Sequence, residues 1–191
     1  MSQNSNNKMY LTLGVVAIVA IALVYVFMGN SSTPASTVTQ ANAAEQPTAD
    51  QQAPSFPDAP NFTLKNLNNQ DVSLSDYKGK LVFVNFCATW CGPCRMEIPH
   101  FIDLIDKYGK DGFVVLGIAL DPREFNKVPG FVDQMGINYP ILLDKTGVSQ
   151  MYGGIRSIPT TFVVNRDGKV VQRIVGSRPK DVFEQIVTSN L

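Results

Sequence analysis

Two of the three cysteines in this 191-residue chain, Cys91 and Cys94, are separated only by Gly92-Pro93. Thiols at that spacing can close into a disulfide and reopen, which is two-electron redox chemistry. The pair follows the apolar run Leu81-Val82-Phe83-Val84 and precedes a stretch with helical periodicity. It therefore stands where a buried strand ends and a helix begins. A thiol at a helix N-terminus faces unpaired backbone N–H groups and the positive end of the dipole, so its thiolate is stabilised. The thiolate is the species that attacks a disulfide. Half of a zinc site and a structural disulfide are the rival readings of the pair. Zinc would need about two further ligands, and Cys87 and His100, at poor spacing, are the only other Cys or His. A c-type haem site needs His directly after the second cysteine, where this chain has Arg95.

The elements that must position the pair can be read from pattern. Phe62-Thr63-Leu64 and Val72-Ser73-Leu74, around Asn68-Asn69-Gln70-Asp71, predict a short hairpin. Lys80 to Phe86 predicts a strand covered on both faces. Gly92 to Tyr108 predicts a helix with Ile98, Phe101, Ile102, Leu104 and Ile105 on its apolar face, kinked at Pro99. Phe113 to Leu120 predicts a second buried strand. A short helix is expected over Phe131–Met135, with Pro129-Gly130 arguing against an earlier start and Gly136 ending it. Tyr139–Leu143 predicts a strand and Thr146–Tyr152 a short helix. Thr160–Val164 and Val170–Val175 flank Asn165-Arg166-Asp167-Gly168, a hairpin signal. A last helix is expected from near Pro179. Strand, helix, strand, hairpin and helix in that order predict an α/β fold with a mixed sheet.

The rest of the chain has a different character. After the segment 1–8, Met9 to Met28 carries no charge. About 20 residues of helix span roughly 30 Å, the hydrocarbon thickness of a bilayer. Tyr10 and Tyr25 lie near the ends of this run, where aromatics favour the interface. A cleaved signal peptide is the rival reading. Its apolar stretch is usually only about 7–15 residues, and the candidate cleavage motif Ala41-Asn42-Ala43 lies far downstream. No cysteine follows the run at which a lipoprotein could be acylated. Lys8 precedes it, and no Lys or Arg follows until Lys65, which favours residues 1–8 inside the cell and the bulk outside. Residues 29–56, rich in Ser, Thr, Ala, Gln, Asn and Pro, predict a flexible linker. Residues 57–191 suffice for one domain. With 16 basic and 16 acidic residues and no basic stripe with interleaved aromatics, nucleic acid is not an expected partner.

Trp90-Cys91-Gly92-Pro93-Cys94, followed much later by Ile158-Pro159-Thr160-Thr161-Phe162, resembles the thioredoxin fold. More narrowly, residues 57–191 resemble the membrane-tethered TlpA/ResA-type thiol–disulfide oxidoreductases of the bacterial envelope. The lead-in Ala59-Pro60-Asn61-Phe62-Thr63-Leu64 with Val72-Ser73-Leu74-Ser75, Glu97 after the pair, and the insert before the Pro159 strand carry that narrower match. The resemblance implies that Cys91 is the nucleophile and that Cys94 resolves the mixed disulfide. It implies a cis Pro159 beside the pair and substrate contacts at Trp90, Gly92, Pro93, Ile158, Pro159 and Thr160. Glu97 would handle protons, in place of the strand acid of thioredoxin, whose position Asn85 occupies. A solvated helix-face carboxylate is the other reading of Glu97, and packing alone the other reading of Trp90. Cys87, where relatives carry a bulky aromatic, is expected to be buried. The lead-in also occurs in peroxiredoxins, but neither Cys91 nor Cys94 has the Thr three residues earlier that marks a peroxidatic cysteine there. No cofactor is implied beyond the disulfide itself. The implied partners are envelope proteins with disulfides, such as the haem-binding cysteine pair of apocytochrome c, and a membrane electron donor of the DsbD or CcdA type. The implied place is the bacterial inner membrane, with the domain on its periplasmic side.

Overall fold

A computed structural model describes residues 57–191. The expected cytoplasmic segment 1–8, membrane span 9–28 and linker 29–56 lie outside the described residues. Seven strands form one mixed sheet: β1 (Thr63–Asn66), β2 (Asp71–Ser73), β3 (Leu81–Cys87), β4 (Phe113–Ala119), β5 (Ile141–Leu143), β6 (Thr160–Val164) and β7 (Val170–Val175). Their order across the sheet is β2-β1-β5-β4-β3-β6-β7. The pairs β3–β4 and β4–β5 are parallel, and the others are antiparallel. Among the described residues four α-helices accompany them: α1 (Gly92–Tyr108), α2 (Val128–Met135), α3 (Val148–Met151) and α4 (Lys180–Asn190). This is the thioredoxin fold with an N-terminal hairpin and an insert before β6, as the resemblance implied.

Alternation along the central strands divides the core. Val82, Val84 and Phe86 of β3 join Phe162, Val164, Leu74, Val148 and Tyr152 on one face of the sheet. Leu81 and Phe83 meet Phe101 and Leu104 of α1 and Phe183 and Val187 of α4 on the other. Phe83 is central there, with ring centroids 4.9 Å from Phe113 and 6.1 Å from Phe101. Because strand side chains alternate, Asn85 continues the Leu81–Phe83 row and points toward α1. Thr161, its partner in register on β6, does the same.

Several local expectations need correction. The β1–β2 hairpin forms as expected, and β1 also pairs with β5, which joins the hairpin to the sheet. Leu74, expected in a strand, opens a 3-10 turn over Leu74–Tyr77. By contrast α1 runs through Pro99 over the expected residues, and the ring leaves the Arg95 carbonyl without a helical donor. α2 starts at Val128 rather than Phe131. Pro129 falls in its first turn, where the missing N–H costs nothing. β5 is shortened to Ile141–Leu143, since Pro140 has no N–H for the ladder. α3 covers only Val148–Met151, and the Asp144 carboxylate accepts the N–H groups of Gly147, Val148 and Ser149 at its start.

Candidate active site

Cys91 is the N-cap of α1, in an extended conformation, with proline in the first turn. Its Sγ accepts the Cys94 N–H at 3.2 Å. The two cysteines form a disulfide, with Cα atoms 5.3 Å apart. Cys91 is 4 % exposed and Cys94 not at all, so of the two only Cys91 meets the surface. The helix terminus thus supplies Cys91 with a direct N–H donor as well as the dipole.

The expected docking residues divide into two groups. Trp90 stands 68 % exposed beside exposed Gly92 and Pro93, so packing is not its role. Ile158 packs against Ala88 and the cysteine pair, and its bond to Pro159 is cis. Pro159 is buried, and its carbonyl accepts the Gly176 N–H at 2.8 Å. Neither the N–H nor the C=O of Ile158 is hydrogen-bonded among the described residues. Thr160 departs from expectation. It is 1 % exposed, and its hydroxyl donates to the Ser157 carbonyl at 2.7 Å, so it braces the turn from behind and its side chain offers nothing to a docked chain.

Beneath the pair lies Glu97, fully buried and one turn along α1 from Cys94. The alternative of a solvated surface carboxylate is thereby excluded. Its Oε1 accepts the Asn85 Nδ2–H at 2.8 Å, and Asn85 also donates to Thr161 Oγ1 at 3.0 Å. Oε2 has no partner among the described residues. Burial pushes the Glu97 carboxyl up to about 7, against the Asn85 hydrogen bond and the nearby Arg178 guanidinium, which both favour the carboxylate. A group poised there exchanges protons readily near neutrality. Asn85 therefore does not replace an acid so much as hold one supplied by the helix.

Asp121 was missed in the sequence. It is 2 % exposed, and its carboxylate accepts the Thr89 N–H at 3.1 Å and the Thr89 hydroxyl at 2.7 Å. These bonds pin the loop that leads into Cys91. The usable signal was its position just beyond a buried parallel strand, at the end of the sheet where α/β folds collect functional residues. Cys87 adjoins the pair, but burial, then Glu97 and Asp121, push its thiol far above the ordinary range. It stays protonated and unreactive. Asn85, Cys87, Thr89, Asp121 and Tyr139 line a cavity of about 20 Å³ between the sheet and α2.

Residues 57–173 match the AhpC/TSA family. A thiol-disulfide oxidoreductase ResA from Bacillus thuringiensis subsp. konkukian is 37% identical over 128 residues, 67% of this chain and 73% of that one. The chain belongs to this family. The ResA of Halalkalibacterium halodurans is 31% identical over 96% of both chains. Among solved structures, a thioredoxin-family thiol:disulfide interchange protein from Chlorobium tepidum TLS superposes with a TM-score of 0.67 at 34% identity, covering 72% of this chain and 98% of that one. The Cys91–Cys94 pair and this membership make the chain a thiol–disulfide oxidoreductase. Ala88, not threonine, stands three residues before Cys91.

Proposed function

We propose that the chain works as a tethered reductant of protein disulfides on the outer side of a bacterial cell membrane. The observation that carries the reading is the stacked arrangement of a reachable Cys91, a buried Cys94 and a buried carboxyl near neutrality beneath them. In the reduced enzyme the Cys91 thiolate attacks one sulfur of a substrate disulfide, forming a mixed disulfide and releasing a substrate thiolate that takes up a proton. Cys94 then gives its proton toward Glu97 and attacks the Cys91 sulfur. The second substrate thiol leaves, and Cys91–Cys94 closes. Two electrons and two protons pass to the substrate, with no cofactor beyond the disulfide. The open main chain of Ile158 pairs strand-wise with the extended substrate.

Gly92-Pro93 is the dipeptide of reducing thioredoxins, near −270 mV, against about −120 mV for DsbA. The charge-free run Met9–Met28 and the linker to residue 56 support attachment to the inner membrane with the domain in the periplasm. The ResA relatives are named thiol-disulfide oxidoreductases, which fits the exchange chemistry. Apocytochrome c with an oxidised haem-binding pair is the candidate substrate. A DsbD- or CcdA-type membrane protein is the candidate donor of new electrons.

A Cys94→Ser variant expressed in the native envelope should retain substrates as mixed disulfides on Cys91. No adduct with Cys91 intact would refute the exchange mechanism. The second reading is a disulfide-forming oxidant, favoured by Arg95 directly after Cys94 and Arg178 near Glu97, whose positive charge stabilises the thiolate and hence the reduced enzyme. Equilibration with glutathione separates the two: a potential near −270 mV supports reduction, and one near the DsbA end overturns it.

A further inference from the structure

The charges around the disulfide are one-sided. Every ion pair among the described residues uses a lysine: Lys65–Asp71, Lys107–Glu184, Lys127–Glu124, Lys169–Asp58 and Lys180–Asp103. No arginine is in an ion pair among the described residues. Three of them, Arg95, Arg156 and Arg178, are exposed and stand close in the chain to the redox pair, to Ile158, or to Gly176, which bonds Pro159. Arg95 directly follows Cys94. Its Nε–H donates to the Thr89 carbonyl at 3.3 Å, and its guanidinium lies 5.0 Å from the Phe131 ring centre. Arg156 precedes Ser157-Ile158, and Ile158 packs on the cysteines. Arg178 is close enough to bear on the Glu97 carboxyl, and nearby Gly176 donates its N–H to the Pro159 carbonyl.

The neighbouring acids are already engaged. Asp121 holds Thr89, Glu124 pairs with Lys127, Asp103 pairs with Lys180, and Asp181 accepts the Val182 N–H. Glu97 is buried. Trp90, just before Cys91, and Met96, two residues after Cys94, are exposed and offer apolar contact but no charge selection.

We infer that this arginine rim selects polypeptides that carry carboxylates beside the disulfide to be exchanged. The inference rests on the proposed thiol exchange and adds the chemistry of the partner. Guanidinium groups bind carboxylates in paired geometry. A cationic rim round a nearly neutral chain also speeds the approach of anionic segments and slows that of cationic ones. Specificity would then reside in charge, which main-chain pairing at Ile158 cannot provide.

The full-length chain, solubilised in detergent and reduced, is mixed rapidly with two synthetic peptides. Both hold the same intramolecular disulfide, one flanked by glutamates and the other by lysines. The emission of Trp90, the chain's only tryptophan, follows oxidation of the pair. At about 20 mM salt the glutamate peptide should react about tenfold faster, and the ratio should fall toward unity at about 500 mM salt. The double variant Arg156→Glu, Arg178→Glu should invert the order. Any change it makes at Glu97 affects both peptides alike and leaves the ratio intact. Equal rates at low salt, or an unaltered ratio in the double variant, overturn the inference. Failure of the wild type to exchange with either peptide overturns the underlying exchange reading.

Discussion

Two buried carboxyl groups flank the redox pair, and they are held in opposite ways. Glu97, below Cys94, has one hydrogen-bond donor and one oxygen with none among the described residues. Asp121, beside the loop before Cys91, is gripped by both the N–H and the hydroxyl of Thr89. Burial alone therefore does not decide what a carboxyl does in this fold. The number of donors does. One donor leaves burial dominant, and the Glu97 carboxyl is pushed up to about 7, where it can carry a proton. Two donors turn Asp121 into a clamp on the backbone.

The largest test of this contrast removes the clamp. Asp121→Ala strands the Thr89 N–H and hydroxyl in a partly buried site, so stability should fall by about 4 kcal/mol in denaturant titrations at neutral pH. An effect below about 1 kcal/mol would mean that the loop holds itself.

Glu97→Gln tests the other side. In the folded chain the carboxyl stays protonated to about pH 7, whereas unfolded it ionises above its ordinary 4.5. The unfolded state therefore sheds this proton first as pH rises. The contribution is full below 4.5 and lost as pH climbs through 7, a decline of about 3 kcal/mol. The Gln variant should lack that decline and should be the more stable protein at pH 8. Its exchange with substrates should also slow about a hundredfold. An unchanged pH profile would place Glu97 outside the chemistry.

Asn85→Ala removes the donor that favours the Glu97 carboxylate. The acidic limb of the exchange profile should move up by about one pH unit, equivalent to about 1.4 kcal/mol. A downward move would contradict the assigned role of the amide. The smallest effect is expected from Cys87→Ala: stability within about 1 kcal/mol and exchange rates unaltered, because a protonated buried thiol behaves as a small apolar group. A collapse in rate would instead make Cys87 a third participant.

The same contrast explains which parts could be read from sequence. Cys91, Cys94 and α1 follow from local signals: spacing, an apolar run and helical periodicity. Glu97 could be suspected from its separation from Cys94, but its burial depends on the side of α1 that meets Asn85 and Thr161, which are on different strands. Asp121 needed still more distant information. β3 and β4 run parallel with Cys87 opposite Ala119, which places Thr89 and Asp121 side by side two residues further on. No local pattern carries that register. The union of β1 with β5 was hidden for the same reason, since a hairpin signal names its two strands and not the third that receives them.

The two edges of the sheet are guarded. The short edge strand β2 displays Asp71 in its pair with Lys65, and the edge strand β7 displays Gln172 and Arg173 and is out of step with β6 at Val163/Val164. Short, charged and irregular edges discourage stray strands from adding on. Ile158 keeps its main chain open only at the point where a sulfur waits beside it. A foreign chain that adheres here lies within reach of the reaction, so adhesion and chemistry share one address.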